Sequence, residues 1–276
     1  QRLVVFGAGT AGTGMADQIA AGMVRDGLTP EEARKRVWLI DRNGLVTDDM
    51  ENLPDYQKPY ARPAGEVTHW THEHGQVGLL ETVRRVEPTI LIGTSAQHGA
   101  FSRPVIEAMS DGVERPIVLP LSNPTERIEA MPQDIIAWSK GKALVATGIP
   151  VQPFEYEDTL YRIGQSNNAL LFPGLGLGTI ISGATAVTDG MLLAAGEAVA
   201  SQVDPRTLGA ALLPPVEHLR ASSAQVAVAV ARQAEKEGVA TAHHDNLIQA
   251  VQDAMWWPTY PEITETSGPG TSGETE

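Results

Sequence analysis

Short apolar runs alternate with amphipathic segments along the first half of the chain. The apolar runs predict buried β-strands, and the segments between them place apolar residues at helical spacing. This alternation predicts an α/β fold of the Rossmann type, a doubly wound parallel sheet with helices on both faces. The predicted strands cover 3–6, 37–41, 89–93, 116–119 and 143–147, and the predicted helices cover 15–25, 79–86, 103–109 and 132–138.

The first predicted strand runs directly into the motif G-x-G-x-x-G, and a long helical pattern follows it. In this setting Gly7 permits a tight turn, Gly9 lets the backbone approach a pyrophosphate, and Gly12 lets helix and strand pack closely. The free N–H groups at the helix N-terminus then face the anion. The motif therefore predicts a dinucleotide-binding loop, and the alternative is a glycine-rich turn in an unrelated α/β protein.

An acidic residue, Asp41, ends the second predicted strand. In a dinucleotide-binding fold a carboxylate there accepts hydrogen bonds from ribose hydroxyls and repels a 2′-phosphate, which favours NAD over NADP. Arg42 keeps NADP open, because an arginine beside the ribose can accommodate that phosphate. The alternative for Asp41 is a surface charge at a strand end. Before this strand, Thr29, Pro30 and Glu32 predict a helix start with a capping box.

The pattern changes near Gly174, where strands give way to stretches of small and apolar residues. Two such stretches, 179–200 and 221–234, predict helices with no strand between them. The final residues are mostly Gly, Ser, Thr and Glu, a composition typical of disorder. We predict a dinucleotide-binding domain over 1–180, C-terminal helices packed on it as a cap over 181–262, and a disordered tail over 263–276.

Small and amide side chains follow the later predicted strands. Ligands of open α/β sheets bind at the carboxyl ends of the strands, so these residues are candidates for one binding rim. Carboxamides there suit a small hydroxy acid, because they donate and accept hydrogen bonds without titrating. The alternative is that S-N-P-T is a common turn. The candidates are Gly93, Thr94 and Ser95, then Leu121, Ser122 and Asn123, then Gly148, and finally Asn167 and Asn168, which precede an apolar run at 169–174 predicted to be buried.

Composition narrows the function classes. The net charge of −14 argues against a general nucleic-acid or anionic-membrane surface. The chain of 276 residues has no cysteine, which excludes disulfides, iron–sulfur clusters and thiol catalysis and is compatible with the reducing cytoplasm. No apolar run approaches the length of a transmembrane helix. Gln1 already lies at the first strand, so we expect a segment of a longer protein.

A cluster of histidines and a pair of tryptophans each have an ordinary structural interpretation. His69, His72 and His74 fall in a polar insertion, which favours a solvated loop over a metal site. Trp256 and Trp257 are expected to pack the last helix against the sheet rather than to mark a partner surface.

Seven motifs in order carry a resemblance to one family. Together they resemble the NAD-binding domain of malic enzyme and of its relative malolactic enzyme, over about Leu3 to Trp257. The motifs are G-A-G-T-A-G-T-G-M-A-D-Q-I at 7–19, D-R-N-G-L at 41–45, P-L-S-N-P-T at 120–125, P-Q-D-I-I-A-W at 132–138, A-T-G at 146–148, Q-S-N-N-A-L-L-F-P-G at 165–174 and G-L-G-L-G at 174–178.

The resemblance implies roles for individual residues. The glycine loop of the family holds the pyrophosphate, which maps to Gly7, Gly9, Thr10, Ala11 and Gly12. Asp41 maps to the acidic residue that holds ribose. The asparagines that contact malate and nicotinamide map to Asn123, Asn167 and Asn168.

The resemblance also implies an activity that this segment lacks by itself. Malic enzymes oxidise malate with NAD and decarboxylate the product to pyruvate, using Mg²⁺ or Mn²⁺ as a Lewis acid. Their tyrosine acid, lysine base and acidic metal ligands precede the glycine loop, in an N-terminal catalytic domain that is missing here. We therefore expect no catalytic or metal-binding residues in this chain, an inactive segment, and a homo-oligomeric parent enzyme. Malolactic activity and a non-catalytic dinucleotide-binding module remain alternatives.

Overall fold

The computed structural model describes residues 1–71 and 75–260. Its central sheet has the strand order β3-β2-β1-β4-β5-β6-β9, and every neighbouring pair is parallel except β2 and β3. The Rossmann-type prediction is therefore confirmed. The sheet strands are β1 Leu3–Phe6, β2 Val37–Asp41, β3 Gly44–Leu45, β4 Ile90–Gly93, β5 Ile117–Pro120, β6 Leu144–Thr147 and β9 Gly164–Gln165, and a separate hairpin is formed by β7 Phe154–Tyr156 and β8 Thr159–Tyr161.

The helices follow the predicted pattern: α4 and α6 have the predicted bounds, and α5 ends three residues later than predicted. The helical spacing over 15–25 belongs to α1, which begins at Thr10 in the glycine loop, with Gly9 as its N-cap. The helices are α1 Thr10–Arg25, α2 Pro30–Arg34, α3 Ala64–Val67, α4 Leu79–Val86, α5 Arg103–Gly112, α6 Pro132–Trp138, α7 Phe172–Ile181, α8 Asp189–Ala200, α9 Leu219–Lys236 and α10 Leu247–Ala254.

The start of α2 has the predicted capping box. The Thr29 hydroxyl accepts from the Glu32 N–H at 3.2 Å, and the Glu32 carboxylate accepts from the Thr29 N–H at 2.8 Å. The two residues thereby satisfy backbone donors at the end of a short helix.

Side chains of β1 alternate between two cores. Leu3 and Val5 pack with Ala16 of α1 on one face of the sheet. Val4 points to the other face, into the core that α4, α5 and α6 share. Helices therefore cover both faces, which leaves the carboxyl edge of the sheet as the open side of this layer.

The C-terminal helices form a third core around α9. Gly174 and Gly178 of α7 bring that helix close to α9, since an added Cβ at Gly174 would stand 2.5 Å from Cβ of Val226. The predicted domain boundary at residue 180 falls inside α7, which ends at Ile181. The apolar run 169–174 is not uniformly buried as predicted: Phe172 is 61% exposed. Phe172 is exposed because its helix, α7, presents only one side to α9.

The expectation for the paired tryptophans is wrong. Trp256 and Trp257 are 67% and 61% exposed. The Arg220 guanidinium lies 3.6 Å from the centroid of the Trp257 ring. The last helix, α10, packs on α7 and α9 through Val251, and Arg220 of α9 also donates to the Trp256 carbonyl at 3.0 Å.

The structure tests the remaining sequence predictions only in part. His69 is exposed just after α3, while His72, His74 and the tail at 263–276 lie outside the described residues. Within 1–71 and 75–260, no group of three or more His, Asp and Glu side chains is placed to hold a metal ion. None of the described helices is both long and apolar enough to cross a bilayer.

Candidate cofactor-binding site

The glycine loop joins β1 to α1 at the carboxyl edge of the sheet. Gly7 has φ +108°, and a Cβ there would stand 2.5 Å from the Thr94 carbonyl carbon. The turn therefore requires glycine both for its backbone angle and for its approach to the turn after β4. The Thr94 hydroxyl donates to the Gly7 carbonyl at 2.7 Å and fastens the two turns together.

Gly9 and Gly12 have opposite surroundings. A Cβ on Gly12 would contact the Gly7 carbonyl oxygen and stand 2.7 Å from Oγ1 of Thr94. A Cβ on Gly9 would meet nothing within 4 Å. The space above Gly9 is therefore free for a ligand to approach the backbone, while Gly12 sets the packing of α1 on the sheet.

A cleft of about 350 Å³ opens beside this loop. It lies at the switch point of the sheet, where β1 has β2 on one side and β4 on the other. The residues that face it include Gly7, Gly9, Asp41, Arg42, Thr94 and Ser95. The structure thus brings the glycine loop, the acidic strand end and the turn after β4 to one cavity.

Asp41 is held by two hydrogen bonds. Its Oδ1 accepts from the Arg42 N–H at 2.9 Å, and its Oδ2 accepts from Nε2 of Gln57 at 2.8 Å. The same Gln57 nitrogen donates to the Ala8 carbonyl at 2.6 Å, and Gln57 is 2% exposed. One buried amide therefore ties the carboxylate to the glycine loop.

The segment that carries Gln57 is anchored on α1. The Tyr60 hydroxyl donates to the Asp17 carboxylate at 2.6 Å. Burial, and then the hydrogen bond to Asp17, raise the pKa of Tyr60 well above its ordinary value, so the phenol keeps its proton at higher pH than an ordinary tyrosine does. Sequence reasoning missed Gln57, since nothing in the motif indicates that this loop returns to the glycine turn.

A second buried group that sequence reasoning missed is Glu129. Its side chain contacts Ser95 and Ser122, which the sequence singles out as candidate cofactor residues. The Glu129 side chain also requires glycine at position 93, because a Cβ there would stand 2.5 Å from the Glu129 carboxyl carbon. The turns after β4 and β5 are therefore joined beneath the cleft.

The candidate carboxamides lie farther along the same edge. Asn123 follows β5, and its Nδ2 would stand 2.8 Å from a Cβ on Gly148, which follows β6. Asn167 and Asn168 follow β9, and β9 pairs in parallel with β6. Asn167 caps a 3₁₀ turn by accepting from the Ala169 N–H at 2.9 Å, and Asn168 is exposed. These asparagines and the glycine loop thus all follow carboxyl ends of parallel strands.

The comparison with protein families matches this architecture. A family model described as "Malic enzyme, NAD binding domain" matches residues 1–235. The chain belongs to this family. The resemblance drawn from the seven motifs is therefore confirmed.

Curated relatives extend the similarity within the malic enzyme family. NAD-dependent malic enzyme 3 of Bacillus subtilis is 54% identical over 264 residues, which is 95% of this chain and 47% of the relative. A putative malate oxidoreductase [NAD] of Mycobacterium tuberculosis is 50% identical over 94% of this chain and 47% of its own length. The chain thus spans about half the length of the curated relatives it matches.

Solved structures show the same relationship. The malic enzyme of Entamoeba histolytica superposes with a TM-score of 0.67 at 26% identity, over 91% of this chain and 46% of that one. The malic enzyme of Pyrococcus horikoshii gives a TM-score of 0.69 at 26% identity, over 91% of this chain and 52% of that one.

Proposed function

We propose that this chain is the NAD-binding part of an enzyme that oxidises malate and decarboxylates it to pyruvate while reducing NAD. The observation that carries the proposal is the cleft where the open space above Gly9 meets the fixed carboxylate of Asp41. The names of the relatives support NAD as the cofactor. No described feature favours malolactic activity or a non-catalytic module over this function.

The residues present fit a dinucleotide. In the proposed mode the N–H groups of Thr10, Ala11 and Gly12 bind the pyrophosphate at the N-terminus of α1, and Asp41 binds the adenosine ribose. The turns after β4 and β5 then face the nicotinamide half, because they lie on the other side of β1 from Asp41. When bound, NAD supplies the hydride acceptor.

The substrate side of the proposal rests on the amides of the rim. We assign Asn123, together with Asn167 or Asn168, to the carboxylate and hydroxyl of malate, since amides orient such groups by hydrogen bonds. The proposal assigns Mg²⁺ or Mn²⁺, its ligands and the proton-transfer groups to the part of the parent enzyme that this chain does not span. It follows that the pure chain with malate, NAD and Mn²⁺ forms no NADH, which absorbance at 340 nm checks; steady turnover contradicts this assignment.

The proposal also includes a cytoplasmic, homo-oligomeric parent enzyme. The absence of cysteine in the sequence supports a reducing compartment. Phe172 and Ile180, two turns apart on α7, are 61% and 78% exposed, and such a face is typical of a contact surface. Analytical ultracentrifugation of the parent enzyme tests the oligomer.

The cofactor preference is tested by the change Asp41→Ala. We expect NAD affinity to fall by ~1.5–3 kcal/mol, because a ribose hydroxyl loses a hydrogen bond to a charged group. We expect NADP affinity to fall less or to rise, because the repulsion of its 2′-phosphate disappears. Titration calorimetry of both cofactors on the wild-type and variant chains measures this.

The control for this test is Asp111→Ala, which removes the same charge from the exposed surface of α5. It is expected to leave both affinities unchanged. Equal or tighter binding of NADP by the wild-type chain contradicts the preference for NAD.

A further inference from the structure

A carboxylate without an exposed atom lies between the ends of β4 and β5. Glu129 is 0% exposed and belongs to the segment that leads into α6. Its Oε1 accepts from the Ser95 N–H at 2.8 Å, from the Ser95 hydroxyl at 2.9 Å and from the Ser122 hydroxyl at 2.6 Å. Its Oε2 accepts from the Ser122 N–H at 3.3 Å. One side chain thus collects donors from two separate turns.

The charge of this carboxylate is balanced by dipoles. Among the ion pairs of the described residues, none includes Glu129. Burying a carboxylate is costly, and a hydrogen-bonded network offsets that cost only when its donors keep their positions. The backbones at Ser95 and Ser122 are therefore held at a fixed separation by a group that tolerates little displacement.

The network reaches further into the rim of the cleft. The Ser122 hydroxyl also accepts from the Ala96 N–H at 2.9 Å, and the Ser95 hydroxyl accepts from the Gln97 N–H at 3.1 Å. Ser95 faces the cleft, and Asn123 follows Ser122 directly. Any movement of the carboxylate is transmitted to the backbone on both sides of the rim.

These two turns lie on one side of the glycine loop only. Asp41 follows β2, and Ser95 and Ser122 follow β4 and β5 on the opposite side of β1. A dinucleotide that spans the switch point places its adenosine toward β2 and its second half toward β4 and β5. The network therefore bears on the nicotinamide half and not on the adenosine half.

We propose that Glu129 is a positioning residue for the nicotinamide ring of the cofactor, acting through the turns of Ser95 and Ser122. The inference rests on the proposed function, since it takes NAD to be the ligand of the cleft. It assigns Glu129 no contact with the cofactor. It assigns Glu129 the geometry of the surface against which the nicotinamide ring lies.

The test compares two ligands that differ at the nicotinamide end. NAD and ADP-ribose share adenosine, pyrophosphate and the second ribose, and ADP-ribose lacks nicotinamide. In Glu129→Gln the side chain keeps its size, but its NH₂ group faces donors in place of a carboxylate oxygen. We expect NAD affinity to fall about tenfold, as for lost hydrogen bonds to a charged group, and ADP-ribose affinity to change less than about twofold.

The matched control is Glu126→Gln. Glu126 lies three residues earlier on the same segment and is exposed, so its replacement removes the same charge without touching the network. Titration calorimetry of both ligands is run with melting curves on all variants. The control is expected to leave both affinities and the melting temperature unchanged.

Each outcome bears on a different claim. A loss of equal size for NAD and ADP-ribose in Glu129→Gln shows a merely structural role and overturns the inference, as does unchanged NAD binding. If Glu129→Gln does not fold, the variant Ser122→Ala is used instead, because it removes one donor of the network. NAD binding that is about threefold weaker, with unchanged ADP-ribose binding, supports the inference. Equal weakening of the binding of both ligands overturns it. A wild-type chain that binds neither ligand contradicts the proposed function, and the inference fails with it.

Discussion

Replacing Gly12 with alanine is expected to destabilise the fold by about 2–4 kcal/mol and to abolish measurable NAD binding. The added methyl group would contact the Gly7 carbonyl oxygen and stand 2.7 Å from Oγ1 of Thr94 and 2.9 Å from Cγ1 of Val5. The nearest of these atoms belongs to backbone that is itself fixed by the turn after β4. Relief therefore requires α1 to move away from the sheet, and its N-terminal N–H groups move with it.

Thermal melting and titration with NAD measure the two effects of Gly12→Ala. The control is Gly14→Ala, in the same helix, where a Cβ would meet nothing within 4 Å. Alanine there is expected to keep NAD affinity and to raise stability by up to about 1 kcal/mol, because glycine is a poor helix former. A Gly12→Ala chain with the melting temperature of the wild type contradicts the packing described for α1.

The glycine loop and Asp41 could be predicted because their chemistry is local in sequence. Strand, turn and helix start occupy consecutive residues, and Asp41 ends a recognisable apolar run. The parallel sheet then follows from the alternation of elements, since parallel strands need crossover helices. The short strands β3, β7, β8 and β9 were missed, because two or three residues carry no periodicity to detect.

Groups that act over long sequence separations could not be predicted. Gln57 donates to a carbonyl 49 residues away, and Glu129 accepts from an N–H 34 residues away. Gln57 stands among polar residues and Glu129 between Ile128 and Ala130, and neither setting indicates a partner so far away in sequence. Only the folded arrangement of loops places them beneath the strand ends.

The tryptophans illustrate a different limit. Aromatic residues near the end of an apolar helix are usually buried, and composition alone gives no reason to expect Trp256 and Trp257 at the surface. Their exposure follows from α10 packing on α7 and α9, which depends on how the three helices are joined. Burial of an apolar pair is thus a property of topology as much as of residue type.

Replacing Gly9 with valine is expected to weaken NAD binding by about 3 kcal/mol while leaving the fold intact. Gly9 has φ −73° and ψ −175° at the N-cap of α1, an extended conformation that valine adopts without strain. A Cβ there meets no protein atom within 4 Å, so the expected loss of stability is only about 1 kcal/mol, the cost of replacing a glycine N-cap by valine. The branched side chain instead fills the space that the pyrophosphate needs.

The size of the side chain at Gly9 provides a graded measurement. Gly9→Ala is expected to give a smaller loss of NAD affinity than Gly9→Val, with both chains melting close to the wild type. Gly12→Ala shows the opposite pattern, because there the added atoms meet protein first and ligand second. If Gly9→Val binds NAD as tightly as the wild type, the pyrophosphate does not approach the backbone at this position and the proposed binding mode is wrong. A loss of NAD affinity that grows from alanine to valine, while both chains melt close to the wild type, means that the cofactor binds in the open space above Gly9.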